Sequence, residues 1–379
     1  MKKILFVTSS LCVGGMERMQ ITLANILSSR GYDVTIITLN PNHDLVYELN
    51  DNVRVLYKPD RQFPVLRKIK YIWTFYDNGV WETRVSAKKL YKYYVGNEKY
   101  DIEIAFFRGL PVKIISGSSN KNAVHLAWVH NDFRQAKGYL NNFKSLSDVT
   151  KAYSRYNNVI CVSKQALEGF KEVIGDTQNL VTIYNMILES DIKKKANEIP
   201  QIYVQKNGFH IVLAGRLLDS AKGQKRLINA ISKLYNQGYD ISLALIGGGK
   251  DEEMLKEEIA NCEADNYITM TGMQLNPYPY IKEADLLVCA SYFEGYNLTV
   301  AEALILGVPV LSTNCTGPNE ILDGGKYGMI VDNSEEGLYS GIKKLIENPK
   351  LLSYYREKAR ERQDFFDEEY ILKQITALF

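Results

Sequence analysis

At 379 residues with 46% hydrophobic content, the chain exceeds what one ordinary core holds, and two domains are the default expectation. Its 46 Lys and Arg face 44 Asp and Glu, a formal charge of +2, which excludes the broad positive field of a nucleic-acid-binding protein. No run approaches the ~18 apolar residues of a membrane span, and five widely spaced cysteines (Cys12, Cys161, Cys262, Cys289, Cys315) read as reduced, buried thiols of a cytoplasmic protein.

Residues 4–8 form a short apolar stretch that meets glycines within a few positions, which reads as a first strand and not as a signal peptide. A loop at 9–16, a helix to about 29 and a second strand at 33–38 make a βαβ start, implying a parallel sheet with helices on its faces. Further strands are expected at 53–57, 102–106, 125–129, 158–162 and 180–183. A second series follows at 209–214, 242–246, 268–271, 286–290, 308–312 and 329–331, with helices between. The alternation predicts an α/β protein of two doubly wound domains. The first spans 1–190 and the second 208–363, joined by a polar linker at 191–207 that carries Lys193-Lys194-Lys195 and Pro200. A charged, aromatic helix at about 364–379 is expected to cross back onto the first domain.

Open α/β sheets meet their ligands at the carboxyl ends of the strands, so chemistry-bearing residues are sought there. Gly14 and Gly15 follow the first strand, where they serve either a tight turn or the close approach of a substrate phosphate. Gly247-Gly248-Gly249 follows the strand at 242–246. Neither cluster completes G-x-G-x-x-G, so a nicotinamide cofactor is not expected. Arg216 and Lys222 fall on one strand-to-helix connection, where they suit either a diphosphate or plain solvation. His130 ends the strand at 125–129 and is a catalytic or a structural histidine. The four histidines (His43, His125, His130, His210) have no metal-ligand spacing, so no metal is expected, and no triad pattern accompanies them.

The most informative run is Ser291-Tyr-Phe-Glu-Gly-Tyr-Asn-Leu-Thr-Val-Ala-Glu-Ala-Leu304. It reads as a strand end, a turn at Glu294-Gly295 and a helix from Thr299 that stops at Gly307. The free amides of the first helical turn and the positive end of its dipole make a phosphate seat. With Glu294 and Glu302 beside that seat to accept from sugar hydroxyls, the expected ligand is a nucleotide diphosphate sugar. Glu302 has a second possible role, because Thr299-Val-Ala-Glu302 also fits a capping box.

Charge is uneven along the chain. From Lys58 to Lys99 there are 10 Lys or Arg against 4 Asp or Glu, interleaved with Trp73, Phe75, Tyr76, Trp81, Tyr91, Tyr93 and Tyr94. This mixture fits peripheral contact with an anionic membrane on the inner face of the cell membrane, or a solvated helix face with rings packed beneath it.

Together these segments resemble the family 4 retaining glycosyltransferases of the GT-B fold, of the kind that build bacterial surface polysaccharides. The likeness runs over almost the whole chain. Its strongest block is Glu294 to Glu302, similar to that family's E-x7-E segment, followed by Ala303-Leu304 and Gly307-Val-Pro-Val310. Gly215-Arg216 with Lys222-Gly223, Gly14-Gly15-Met16-Glu17, Trp128-Val-His130, Val162-Ser-Lys164 and Tyr184-Asn185 occur in the family's order.

The resemblance implies two Rossmann-like domains facing each other across a cleft, and a metal-independent hexosyltransferase. Its donor would be a nucleotide sugar, by expectation a UDP-sugar, and its acceptor a hydroxyl of a glycan or of a lipid-linked acceptor. It implies that Glu302 holds the donor ribose, Glu294 contacts the transferred sugar and His130 approaches the reacting carbon. Arg216 and Lys222 would bind the diphosphate with Gly15 and the amides of Leu298 and Thr299; Gly247, Gly295 and Asn297 would complete the donor seat. The base would lie at Thr271-Gly272-Met273-Gln274. The chain departs from the commoner spacing by Ala221, inserted before Lys222. Two other functions fit the same fold: a nucleotide-sugar epimerase, and a non-catalytic partner subunit of a transferase.

Overall fold

The computed structural model describes residues 1–41, 44–57, 80–135, 137–176, 179–202, 204, 206 and 208–379. Its residues cluster into two units, Met1–Asn185 with Ile371–Phe379, and Met186–Tyr370. The division falls inside the helix Glu368–Thr376, and Phe379 packs edge-on against Tyr32 of the first unit, centroids 5.6 Å apart.

The first unit holds a seven-stranded sheet in the order β3-β2-β1-β4-β5-β6-β7. Its strands are β1 Lys3–Thr8, β2 Asp33–Thr38, β3 Arg54–Tyr57, β4 Ile102–Ala105, β5 Val124–Val129, β6 Asn158–Cys161 and β7 Leu180–Thr182. The second unit holds a six-stranded sheet in the order β10-β9-β8-β11-β12-β13. These are β8 Phe209–Ala214, β9 Ile241–Ile246, β10 Ile268–Gly272, β11 Leu286–Cys289, β12 Val310–Thr313 and β13 Met329–Val331. Every pairing in both sheets is parallel.

Helices cover both faces of such sheets, so their strands are continuously apolar, and β9 (Ile-Ser-Leu-Ala-Leu-Ile) is buried at all 6 positions. The helix Gln224–Tyr235 returns that surface in kind. Leu227, Ile228, Ala230, Ile231 and Leu234, at three- and four-residue spacing, are buried against it. Burying each such Leu or Ile contributes roughly 1.5–3 kcal/mol. In each sheet the order reverses beside the first strand, between β1 and β4 and between β8 and β11, and the loops leaving those strands flank a crevice at the carboxyl edge.

Three expectations change. The segment 191–207, read as linker, opens in the helix Glu189–Lys195. Ile192 anchors it at 3% exposure, the acidic first turn and basic last turn suit its dipole, and Lys195 pairs with Asp191 at 3.0 Å. Of the rings read as facing a membrane, Tyr91 and Tyr94 are buried with Leu90, because their spacing on the helix Ala87–Tyr94 puts all three on its core face. Residues 58–79, with most of that stretch's remaining rings and charges, lie outside the described residues. Cys161, Cys289 and Cys315 are buried thiols, but Cys12 and Cys262 are only half-buried. No helix among the described residues is long and apolar enough to cross a membrane.

Candidate functional site

In the second unit the carboxyl ends of β8 and β9 close on one another through glycine. A Cβ on Gly247 would lie 2.1 Å from the Gly215 carbonyl oxygen, and one on Gly249 would lie 2.2 Å from that of Leu217. Gly247 donates to the Gly272 carbonyl and Leu217 to that of Gly248, both at 3.0 Å. The Gly247 to Gly249 triplet thus makes its close approach to the chain's own backbone. It brings Gly215-Arg216, the triplet and Gly272-Met273 onto one rim.

Lys222 does not lie on an open loop. It ends a four-residue helical turn, Asp219–Lys222, which Gly223 stops at φ 65°, and a side chain on Gly223 would strike the Ala290 carbonyl. That packing delivers Lys222 Nζ to Glu294 Oε1, with which it forms an ion pair. The two side chains are 27% and 12% exposed. Burial works against the ammonium charge, and the Glu294 carboxylate more than offsets it, holding Lys222 above its usual range. Two further donors reach the same carboxylate oxygen, Ser291 Oγ at 2.7 Å and Asn297 Nδ2 at 3.0 Å. All three partners fall on Oε1, and Oε2 carries none among the described residues.

Asn297 has a second task. With φ 69° it occupies the left-handed region that Asn tolerates, and its Oδ1 accepts from Val300 N at 3.2 Å, capping the helix Leu298–Ile305. The helix therefore begins one residue before the expected Thr299, and the cap belongs to Asn297. This removes the capping box proposed for Thr299 and Glu302. The cap engages the third amide and leaves those of Leu298 and Thr299, to which a helix supplies no carbonyl. Glu302, further along the helix and half-buried, accepts from the Tyr278 hydroxyl at 3.2 Å. Nearby, the amide of Gln274 is fixed by the Thr271 carbonyl at 2.9 Å and the Tyr280 hydroxyl at 3.3 Å, while Met273 stands 53% exposed.

Arg216 is exposed, and its guanidinium has no hydrogen bond or ion pair among the described residues. Arg226, by contrast, is buried. It donates to the Ala290 carbonyl at 3.0 and 2.6 Å and to Asn333 Oδ1 at 2.6 Å, and it lies 3.8 Å from the Tyr292 ring centre. It ties the end of β11 to the turn that carries Glu294. Sequence reading gives no role to Arg226, Ser291 or Tyr278. Ser291 stands three residues before Glu294 and was within reach of inspection; the other two act through tertiary contacts 64 and 24 positions away.

Gly14, Gly15 and His130 belong to the first unit. Gly14 precedes the helix Gly15–Ser29 with φ −175°, an extended conformation open to any residue. His130, 8% exposed, bonds through Nε2 to the Phe106 carbonyl at 2.8 Å. A carbonyl only accepts, so Nε2 carries the proton and Nδ1 holds the lone pair, which is buried and without a partner. Burial pushes the imidazole down to about 4, and the nearby Arg108 charge adds to that, so it is neutral at physiological pH. His130 lines a cavity of about 340 Å³ with Ser9, Asn40, Arg108, Asn131 and Asn141.

This topology, two doubly wound parallel sheets in one chain, is that of the GT-B fold. The chain matches the description Glycosyltransferase Family 4 over residues 13–188 and Glycosyl transferases group 1 over residues 194–362. It belongs to glycosyltransferase family 4. It is 26% identical over 377 residues to the N-acetylgalactosamine-N,N'-diacetylbacillosaminyl-diphospho-undecaprenol 4-alpha-N-acetylgalactosaminyltransferase of Campylobacter jejuni, covering 97% of this chain and 96% of that one. An O-antigen biosynthesis glycosyltransferase of Escherichia coli, WbnH, is 28% identical over 224 residues, 57% of this chain and 62% of its own. In fold the chain matches Anabaena HepE, solved in complex with UDP and glucose, with a TM-score of 0.75 at 18% identity, covering 100% of this chain and 99% of that one.

Proposed function

We propose that the chain transfers a sugar from a UDP-sugar to a hydroxyl of a glycan or lipid-linked glycan, with retention of configuration, in the synthesis of a surface polysaccharide. The observation that carries this is the convergence of Lys222, Ser291 and Asn297 on one oxygen of Glu294, at the foot of a helix whose first two amides receive no helix carbonyl. Held by three donors on Oε1, the carboxylate presents Oε2 to a sugar hydroxyl without having to reorganise. Glu302, steadied by Tyr278, accepts from the ribose, and the loop at Thr271 to Gln274 receives the base with Met273 as its apolar face.

As the bond to the sugar breaks, charge gathers on the leaving diphosphate. Arg216 is the unpaired cation beside it, Lys222 the paired one, and the Leu298 and Thr299 amides add the helix dipole. Their combined positive potential makes a metal unnecessary for the leaving group, so turnover is expected to survive chelation. The Campylobacter relative, named for a diphospho-undecaprenol acceptor, supports a lipid-linked substrate.

Calorimetry and turnover with a panel of nucleotide sugars test the reading. A UDP-sugar is expected to bind and be consumed with an acceptor present, and Arg216→Ala is expected to slow transfer about a hundredfold, since losing a donor to developing charge raises the barrier by ~3 kcal/mol. Normal turnover in a folded Arg216→Ala protein would place the leaving group elsewhere.

A further inference from the structure

Arg108 follows β4 and lines the cavity of the first unit, yet among the described residues its guanidinium has no carboxylate, carbonyl or ring partner. Burial lowers its pKa from the usual value, and the group that opposes that shift is the Tyr153 hydroxyl, itself buried, unpartnered among the described residues and neutral. A partly buried cation without a counter-charge is unfavourable and is normally neutralised or paired. Among the described residues the cavity lining contains no acidic side chain; its polar groups are amides, a serine, Arg108 and His130.

The wall around Arg108 is built. A Cβ on Gly138 would lie 2.7 Å from Arg108 Nε, so glycine there lets the loop close on the guanidinium. Asn142 is held at φ 68°, and the buried Lys113 ammonium fixes its carbonyl at 2.9 Å while also binding the carbonyls of Glu82 and Thr83. Beside the cation stands the unpartnered His130 Nδ1, an acceptor that suits a hydroxyl and would repel an anion.

We propose that this cavity binds a sugar carrying a phosphate or carboxylate, with Arg108 receiving the anion and His130 Nδ1 accepting from a hydroxyl. The proposal deepens the transfer reaction and rests on the reading that this chain handles sugars. The anion is either the acceptor's own charge or a phosphate of the nucleotide, and the two sources separate experimentally.

The test measures binding to the full chain without turnover. The probes are glucose 1-phosphate, methyl glucuronide and neutral methyl glucoside, each with and without saturating UDP, and UDP alone. With UDP present or absent, in at least one of the two conditions, wild type is expected to bind at least one charged probe tenfold or more tighter than methyl glucoside. Arg108→Gln should erase that preference and Arg108→Lys retain part of it. If Arg108→Gln leaves UDP affinity unchanged, the anion belongs to the acceptor; if UDP weakens tenfold as well and the charged probes bind only without UDP, it is the nucleotide's phosphate. Absence of any charged-over-neutral preference in wild type, with or without UDP, overturns the proposal even if the variants fail to fold. A preference that survives in folded Arg108→Gln overturns it too. Failure of the transfer reading itself has a different signature, the absence of UDP-sugar turnover in wild type.

Discussion

Beyond β11 in the second unit, the carboxylate of Glu294 meets three donors on one oxygen; beyond β4, the equivalent strand of the first unit, the guanidinium of Arg108 meets no partner among the described residues. Both residues leave the fourth strand of a parallel sheet, beside the switch point, where both helix and sheet direct the chain outward. The backbone solution is the same and the filling is opposite. In the second unit the chain completes the charges of Glu294 and Lys222, so folding and preorganisation support each other there. In the first it leaves a cation and an imidazole lone pair unsatisfied, a local conflict of the kind that marks a binding site.

Stability should therefore respond oppositely in the two units. Lys222→Ala leaves Glu294 largely buried without its cation, and breaking such a pair costs about 3–5 kcal/mol. Lys222→Met combined with Glu294→Gln removes both charges and should recover most of that loss. Arg108→Met, which removes an unpaired charge, should be neutral or stabilising. Urea unfolding of the full chain reads all three. A Lys222→Ala protein as stable as wild type, or an Arg108→Met protein as damaged as Lys222→Ala, would break the comparison.

The strands were readable because parallel strands are apolar throughout, and each expected strand lies within two residues of its observed bounds. The cluster around Glu294 was readable because Glu294, Asn297 and Glu302 share one stretch of chain. Other features were not. The charges of 189–195 looked like linker because, without the buried Ile192, a sequence does not show that they complement a helix dipole. The pairing of Lys222 with Glu294 spans 72 positions, and Arg108 follows two phenylalanines with nothing to show that no partner reaches it. The capping box failed for a local reason, because Asn297 adopts a left-handed φ and starts the helix one residue early.

Acid sharpens the comparison at smaller scale. His130 in the first unit and His210 in the second are each pushed down to about 4, chiefly by burial. Their unfolded pKa is about 6.5, so between pH 6.5 and 4 the unfolded chain binds protons that the folded chain refuses. Each contribution is fully present above pH 6.5 and is lost as pH falls toward 4, on the order of 3 kcal/mol at most per histidine. His130→Gln and His210→Gln should each flatten part of that slope. Proton NMR of the imidazoles checks the premise, and titration of His130 near 6.5 would remove the neutral acceptor on which the first-unit cavity depends.

The smallest effect is expected at Tyr278. Its hydroxyl donates to Glu302 Oε1 at 3.2 Å, and the ring is 6% exposed, so Tyr278→Phe removes one oxygen and leaves the packing intact. A hydrogen bond to a charged group contributes ~1.5–3 kcal/mol when both partners are buried, but Glu302 is half-buried and water will replace part of what is lost. UDP affinity by calorimetry should fall by roughly three- to tenfold, or about 1 kcal/mol, with the unfolding midpoint of the unliganded protein almost unchanged. Glu302→Gln should weaken UDP more strongly, and the two changes together should be less than additive, because Tyr278 acts on the nucleotide only through that carboxylate. Strict additivity would mean that the hydroxyl reaches the nucleotide by another route. If Glu302→Gln binds UDP like wild type, Glu302 is not the ribose acceptor, and the donor seat would have to be rebuilt around Glu294 and the helix amides alone.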